Sequence, residues 1–183
     1  MAAPWLVILM FHRVLPRVPD TPPDRAQTVT PATLAAWIDA LHNRTFVPLS
    51  SLDSLDANGR YAAVTFDDGY ADNLDHALPV LEAKQVPATI FVTTGFVDGD
   101  APPLAPALWA GVRDQAVYDR ERRRLKRGTY ARRRRRLRRV LARSGAAGEA
   151  VAPESGRFLS WDGVRRLHAH PLIEIGAHSH THP

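Results

Sequence analysis

Residues 61–69, "YAAVTFDDG", decide how this chain folds. Six uncharged residues with β-branched and aromatic members read as a strand covered on both faces, the pattern of a parallel sheet. The strand runs straight into two aspartates and a glycine. Adjacent carboxylates at the end of a buried strand repel each other and lose hydration, so they need partners. Two readings stand side by side. Asp67 and Asp68 cap the next helix or open a turn with Gly69; or a cation lies at the strand end, held by one aspartate while the other stays free as a base.

Similar runs lie on either side. "WLVILMF" (5–11), "ATIFVTTG" (88–95) and "LIEIG" (172–176) read as buried strands, and "FVPL" (46–49) as a weak one. Between them fall helical patterns. Thr30 caps a helix over 31–42 with Pro31 in its first turn. Leu74, Leu78 and Leu81 place a second helix over 71–85, with Pro79 kinking it or lying near its start. Residues 106–144 read as helix with a break at Gly128, and Ser160 caps a short helix in "SWDGVRRLHAH" (160–170). The Pro-rich stretch 12–29 is expected to hold no regular structure, and 144–157 reads as a flexible linker. Strands alternating with helices give βα units and a parallel sheet. No internal repeat is present, and 183 residues suit one domain.

Charge is distributed unevenly. Residues 120–143 hold 14 of the 24 Lys+Arg and one of the 19 acids, a net of about +13, which leaves about −8 on the rest. The run "ARRRRRLRR" raises three readings: a solvated insertion helix with a narrow apolar seam of Leu137, Val140 and Leu141, which is favoured; a surface for acidic polysaccharide or anionic membrane; and a nucleic-acid surface, disfavoured because no aromatic residues or known motif accompany it. Cysteine is absent, so disulfides and thiolate metal sites are excluded. No apolar run reaches the ~18 residues of a membrane span. "WLVILMF" lacks the basic flank and small-residue cleavage site of a signal peptide. A cytoplasmic or membrane-peripheral location is expected.

In parallel α/β folds the carboxyl ends of the strands open onto one face, where function collects. The strand 172–176 leads into "HSHTH" (178–182), so this cluster and Asp67–Asp68 are expected at the same mouth. An extended segment turns His178, His180 and His182 to one face. A helical turn pairs His178 with His182 and points His180 away. In the second case two imidazoles and one carboxylate form a three-ligand site with positions left open, the arrangement of catalytic metals.

"TFDDG" with "HSHTH" resembles the first two motifs of the polysaccharide deacetylases, the NodB-homology carbohydrate esterases. "ILMFHRV", "ATIFVTTGF" and "EIGAHS" resemble them too, so the likeness runs over most of 5–183 apart from the basic segment. The resemblance implies that Asp67 is the general base and that Asp68, His178 and His182 hold a divalent metal, usually zinc. It implies hydrolysis of N-acetyl groups on a polysaccharide or oligosaccharide, of the exopolysaccharide-associated kind, to acetate and an amine. His180 matches no ligand position. His12, at the end of the first strand, is a candidate substrate contact, with a histidine of the core or one supporting the metal ligands as the other reading.

Family members continue into an arginine motif and a late Leu-x-x-His that supplies a general acid, and they fold as a distorted (β/α) barrel. This sequence stops at Pro183. The expectation is therefore an incomplete barrel of parallel strands spanning 1–183, with 106–144 as a basic helical insertion, an open sheet edge and exposed apolar surface. The alternatives are an inactive metal-binding remnant and a polyanion-binding protein acting through the insertion. Oligomeric state has no sequence signal.

Overall fold

In the computed structural model, residues 5–101, 103–144 and 158–182 are described. Strands β1 (Trp5–Phe11), β2 (Arg13–Val14), β3 (Thr28–Val29), β4 (Thr45–Phe46), β5 (Arg60–Phe66), β6 (Ala88–Val92) and β7 (Ile173–Ala177) follow in chain order. The main sheet has the order β1-β5-β6-β7, with β4 beside β5, and every pairing in it is parallel. β1 pairs along the full length of β5, from Trp5↔Arg60 to Phe11↔Phe66. On the other side of β5, β4 takes the beginning and β6 the end. All carboxyl ends therefore open on one face, as expected of βα units.

Among the described residues the sheet does not close, and β1 and β7 form its edges. This is the incomplete barrel expected from the sequence. It also corrects one reading: β1 is not buried on both faces. With β5 as its single strand neighbour among the described residues, it leaves Ile8 50% and Met10 60% exposed.

The Pro-rich stretch holds more order than its composition predicts. β2 and β3 pair in a small second sheet, and α1 (Pro22–Arg25) forms between them. Tertiary ion pairs through Arg13, set out below, supply what local propensity lacks. α2 (Pro31–Ala40) starts where the Thr30 hydroxyl accepts from the Thr33 N–H at 3.1 Å, the expected cap. A π-helical turn, Asn73–Ala77, precedes α3 (Leu78–Lys84). That places Pro79 in the first turn of α3, where a missing N–H costs nothing. α4 (Thr94–Val97) follows β6 directly.

The helix expected over 106–144 is three helices. α5 (Leu104–Val112), α6 (Gln115–Leu125) and α7 (Tyr130–Ser144) are separated at Gly128, as expected, and also at Arg113–Asp114. There Arg113 takes φ 50° and the Asp114 carboxylate accepts from the Val117 N–H at 2.8 Å, a helix cap hidden in a charged run. The three helices share a small core of Leu108, Tyr118, Leu125 and Leu137. The seam read from the sequence is real: Leu137 is buried, with Val140 and Leu141 packed against it. Of the linker expected over 144–157, residues 145–157 lie outside the described residues.

α8 (Trp161–His168), capped by Ser160, completes the layer on one face of the main sheet. Leu34 and Ile38 of α2, Leu81 of α3 and Leu167 of α8 pack there on Val64, Phe66, Ile90 and Ile173. On the other face, the Glu174 carboxylate accepts from the Thr89 hydroxyl (3.0 Å) and the Ser50 N–H (3.3 Å). No helix among the described residues is long and apolar enough to cross a membrane.

Candidate metal centre

The carboxyl end of β5 turns sharply. The Asp67 N–H donates to the Phe11 carbonyl at 2.9 Å, continuing the ladder with β1 for one more residue. Asp68 (φ 74°) and Gly69 (φ 76°) then both enter the left-handed region. Glycine suits its position on a second count: a β-carbon there would lie 3.2 Å from Val92 Cγ1. The turn swings the Asp68 side chain into the protein, leaving it 3% exposed, while Asp67 stays half-buried.

The histidine segment is held against the end of β6. The His178 N–H donates to the Val92 carbonyl (2.9 Å), and the Thr93 hydroxyl donates to the His178 carbonyl (3.2 Å). The Thr94 and Gly95 N–H groups donate to the Ser179 and His180 carbonyls at 3.2 and 2.9 Å. This contact needs Gly95, since a β-carbon there would come within 2.4 Å of the His180 carbonyl oxygen. The segment is neither extended nor helical. Ser179 turns it at φ 62° and its hydroxyl accepts from the His182 N–H at 3.0 Å. The outcome matches the helical-turn reading by a different route: His178 and His182 are brought together and His180 is turned away. His180 Nδ1 lies 2.9 Å from the Thr94 hydroxyl and its Nε2 3.6 Å from Asp100.

Asp68 Oδ1 lies 3.6 Å from His178 Nε2 and 3.4 Å from His182 Nε2. A ligating atom from each of the three residues lies within 4.8 Å of the others. These separations are long for hydrogen bonds. They match the spacing of about 3.4 Å between two ligands each about 2.1 Å from one tetrahedral ion. Asp68 Oδ1 is buried without a hydrogen-bond partner. An orphaned buried carboxylate oxygen facing two imidazole nitrogens is costly in water-free surroundings, and a cation removes that cost. The donor set therefore fits a divalent metal. Among the described residues five non-glycine positions have left-handed backbone, and three of them are Asp68, Ser179 and His182. Backbone strain is concentrated where the ligating atoms converge.

His12 follows β1, and its carbonyl accepts from Asn73 Nδ2 at 3.0 Å, which places it at the same end of the sheet as Asp67. His170 and His168 lie elsewhere, His170 against Glu82 and His168 exposed on α8. The sequence reading missed Arg13, Asp24, Tyr70 and Asp72, which are buried beside the turn. The available signal was an arginine just past the first strand and an aspartate at an apolar helix start.

Comparison with known proteins agrees with this architecture. No curated protein matches the sequence. Among solved structures, IcaB from Ammonifex degensii is similar over 99% of this chain and 55% of its own length, at 21% identity and TM-score 0.58. A de-N-acetylase from Aggregatibacter actinomycetemcomitans is similar over 97% and 55% (18% identity, TM-score 0.55). The BpsB deacetylase domain from Bordetella bronchiseptica is similar over 96% and 55% (20% identity, TM-score 0.50). The chain thus spans just over half the length of each. The family model described as polysaccharide deacetylase matches residues 54–183, from the approach to β5 through the histidine turn, and the chain belongs to that family.

Proposed function

We propose that this chain takes part in the metal-dependent removal of N-acetyl groups from a polysaccharide. The observation that carries the reading is the buried, unpartnered Asp68 oxygen facing His178 and His182. These three residues would hold the metal and leave positions for water and substrate. A divalent cation there, zinc in our assignment, supplies Lewis acidity to a carbonyl oxygen and lowers the pKa of water toward neutrality. Asp67, adjacent in sequence and half-buried at the mouth, accepts the proton of the attacking water as general base. His12, held at the end of β1, contacts the sugar. Water's oxygen adds to the acetamide carbon, and the C–N bond breaks as the proton taken up by Asp67 is passed to the departing nitrogen, giving acetate and a free amine. An exopolysaccharide is the substrate we assign; membership of the polysaccharide deacetylase family supports the polysaccharide, and the class of polysaccharide is our assignment. Residues 1–183 then form one unit in which α5–α7 are an insertion.

A second reading keeps the metal site without turnover by this chain alone. The open β1 edge, with Ile8 and Met10 exposed, favours it. Acetate release from an N-acetylglucosamine oligomer, with and without zinc, separates the two. The deacetylase reading expects zinc-dependent release that falls about 10²–10⁴-fold in Asp67→Asn while zinc still binds. Zinc binding with no release by the wild-type chain supports the second reading.

A further inference from the structure

Arg13 is buried to 3% exposure directly after His12, at the end of an edge strand. Its guanidinium joins three parts of the chain. Nε donates to Asp72 Oδ2 at 3.0 Å, Nη1 donates to Asp24 Oδ1 at 2.9 Å, and Cζ lies 4.8 Å from the centre of the Tyr70 ring. Asp72 also accepts from the Val14 N–H at 3.0 Å, and Asn73 Nδ2 donates to the His12 carbonyl at 3.0 Å. Asp24, Asp72 and Asn73 are 2%, 6% and 0% exposed.

Two buried carboxylates around one guanidinium are a poor device for stability alone, since desolvation consumes most of the Coulombic gain and apolar packing serves as well. Their location suggests another use. Residues 12–14 begin with His12, and residues 67–73 begin with Asp67 and Asp68 and end with Asp72 and Asn73. The hydrogen bonds of Asp72 and Asn73 lock one segment to the other. Only a planar fork reaches two carboxylates in different directions while lying on an aromatic ring, so lysine cannot replace it.

We propose that Arg13 is a positioning residue: with Asp72, Asn73 and Asp24 it fixes His12 relative to the Asp67–Asp68 turn. The inference rests on the deacetylase reading for its effect on turnover, but its effect on His12 can be observed without turnover. The deciding variant is Arg13→Lys, which keeps the charge and loses the fork. Arg13→Met leaves two buried carboxylates unpaired and is expected to fold poorly, so it serves only as a control for instability.

Three measurements on the full chain apply: zinc affinity, kcat and KM on an N-acetylglucosamine oligomer at saturating zinc, and the imidazole resonances of His12 in metal-free protein. In Arg13→Lys, zinc affinity should stay within about twofold while kcat/KM falls about 10²-fold, the cost of a misplacement of about 1 Å. His12 resonances should shift while those of His178 and His182 stay in place. Unchanged His12 resonances, or a kcat/KM loss matched by an equal loss of zinc affinity, overturn the proposal. If the wild-type chain with zinc bound releases no acetate, the deacetylase reading fails by itself, and the His12 resonances still decide whether Arg13 positions that residue.

Discussion

The sheet body and the arginine-rich helices α5–α7 solve opposite electrostatic problems in the same way. The body is acidic overall, and it buries an arginine, Arg13, between the buried Asp24 and Asp72. The helices are basic, and the charge they bury is Glu121, reached by Arg136 at 2.7 Å, Arg124 at 2.9 Å and Arg120 at 3.6 Å. In both, the minority charge goes inside and gathers the majority charge around it. The titration consequences differ. Burial pushes the Asp72 carboxyl up, and the Val14 N–H and Arg13 only partly offset this. Burial also acts to raise Glu121, but hydrogen bonds from Arg136 and Arg124 outweigh it and hold the carboxyl below the ordinary glutamate range. The body accepts an electrostatic cost next to the candidate site. In the helices the cost of burying Glu121 is more than offset by the arginines around it.

That contrast can be broken at its two cores. Phe66, fully buried beneath the Asp67–Asp68 turn, should cost about 3–5 kcal/mol when replaced by alanine, with metal binding lost alongside the global urea transition. Leu137→Ala should cost less, about 2–3 kcal/mol, seen as faster amide exchange in α5–α7 with zinc affinity unchanged. If Leu137→Ala weakens zinc binding as much as Phe66→Ala does, the two regions are one unit.

Acid sharpens the contrast. The contribution of Glu121, whose folded pKa is depressed, is fully present above the unfolded glutamate value of about 4.3 and is lost as pH falls through the depressed folded value. Asp72 has the reverse sign. Its raised folded pKa makes the folded state take up a proton first, so acid favours folding at that carboxyl down to about 3.9. In the body this opposes Glu174, which burial acts to raise but which hydrogen bonds from Ser50 and Thr89 hold low. On acidification the helices should therefore open before the sheet, read as loss of the Leu125 and Leu137 amide signals before those of Val64 and Ile90. Glu121→Gln should abolish the difference. The smallest effect is expected from Arg135→Glu on the exposed face of α7, within about 0.5 kcal/mol by thermal melting.

The parallel sheet and its polar mouth were legible because burial writes itself into sequence as uncharged runs. β5 and β7 match the sequence reading within one residue, β6 ends three residues earlier than read, and Asp68 joins His178 and His182 as the family resemblance implies. What stayed hidden depends on contacts distant in sequence. The order in 12–29 comes from Arg13 bonding to Asp72, 59 residues away, and no local pattern shows it. The fork at Ser179 depends on the β6–α4 junction receiving two carbonyls. The break at Arg113–Asp114 was masked because a capping aspartate in a charged run looks like any other charge. The exposure of Ile8 and Met10 follows from sheet position, which hydrophobicity does not encode.

The central claim is that Asp68, His178 and His182 form one metal site, and calorimetric zinc titration of the metal-free chain tests it most directly. One ion per chain should bind, with affinity reduced by about 100-fold or more in Asp68→Ala, His178→Ala and His182→Ala, beyond the 10–100-fold typical of outer partners. His180→Ala, whose imidazole faces Thr94, should leave it within about that lower bound. Zinc binding that survives Asp68→Ala, or that is lost equally in His180→Ala, would contradict the site.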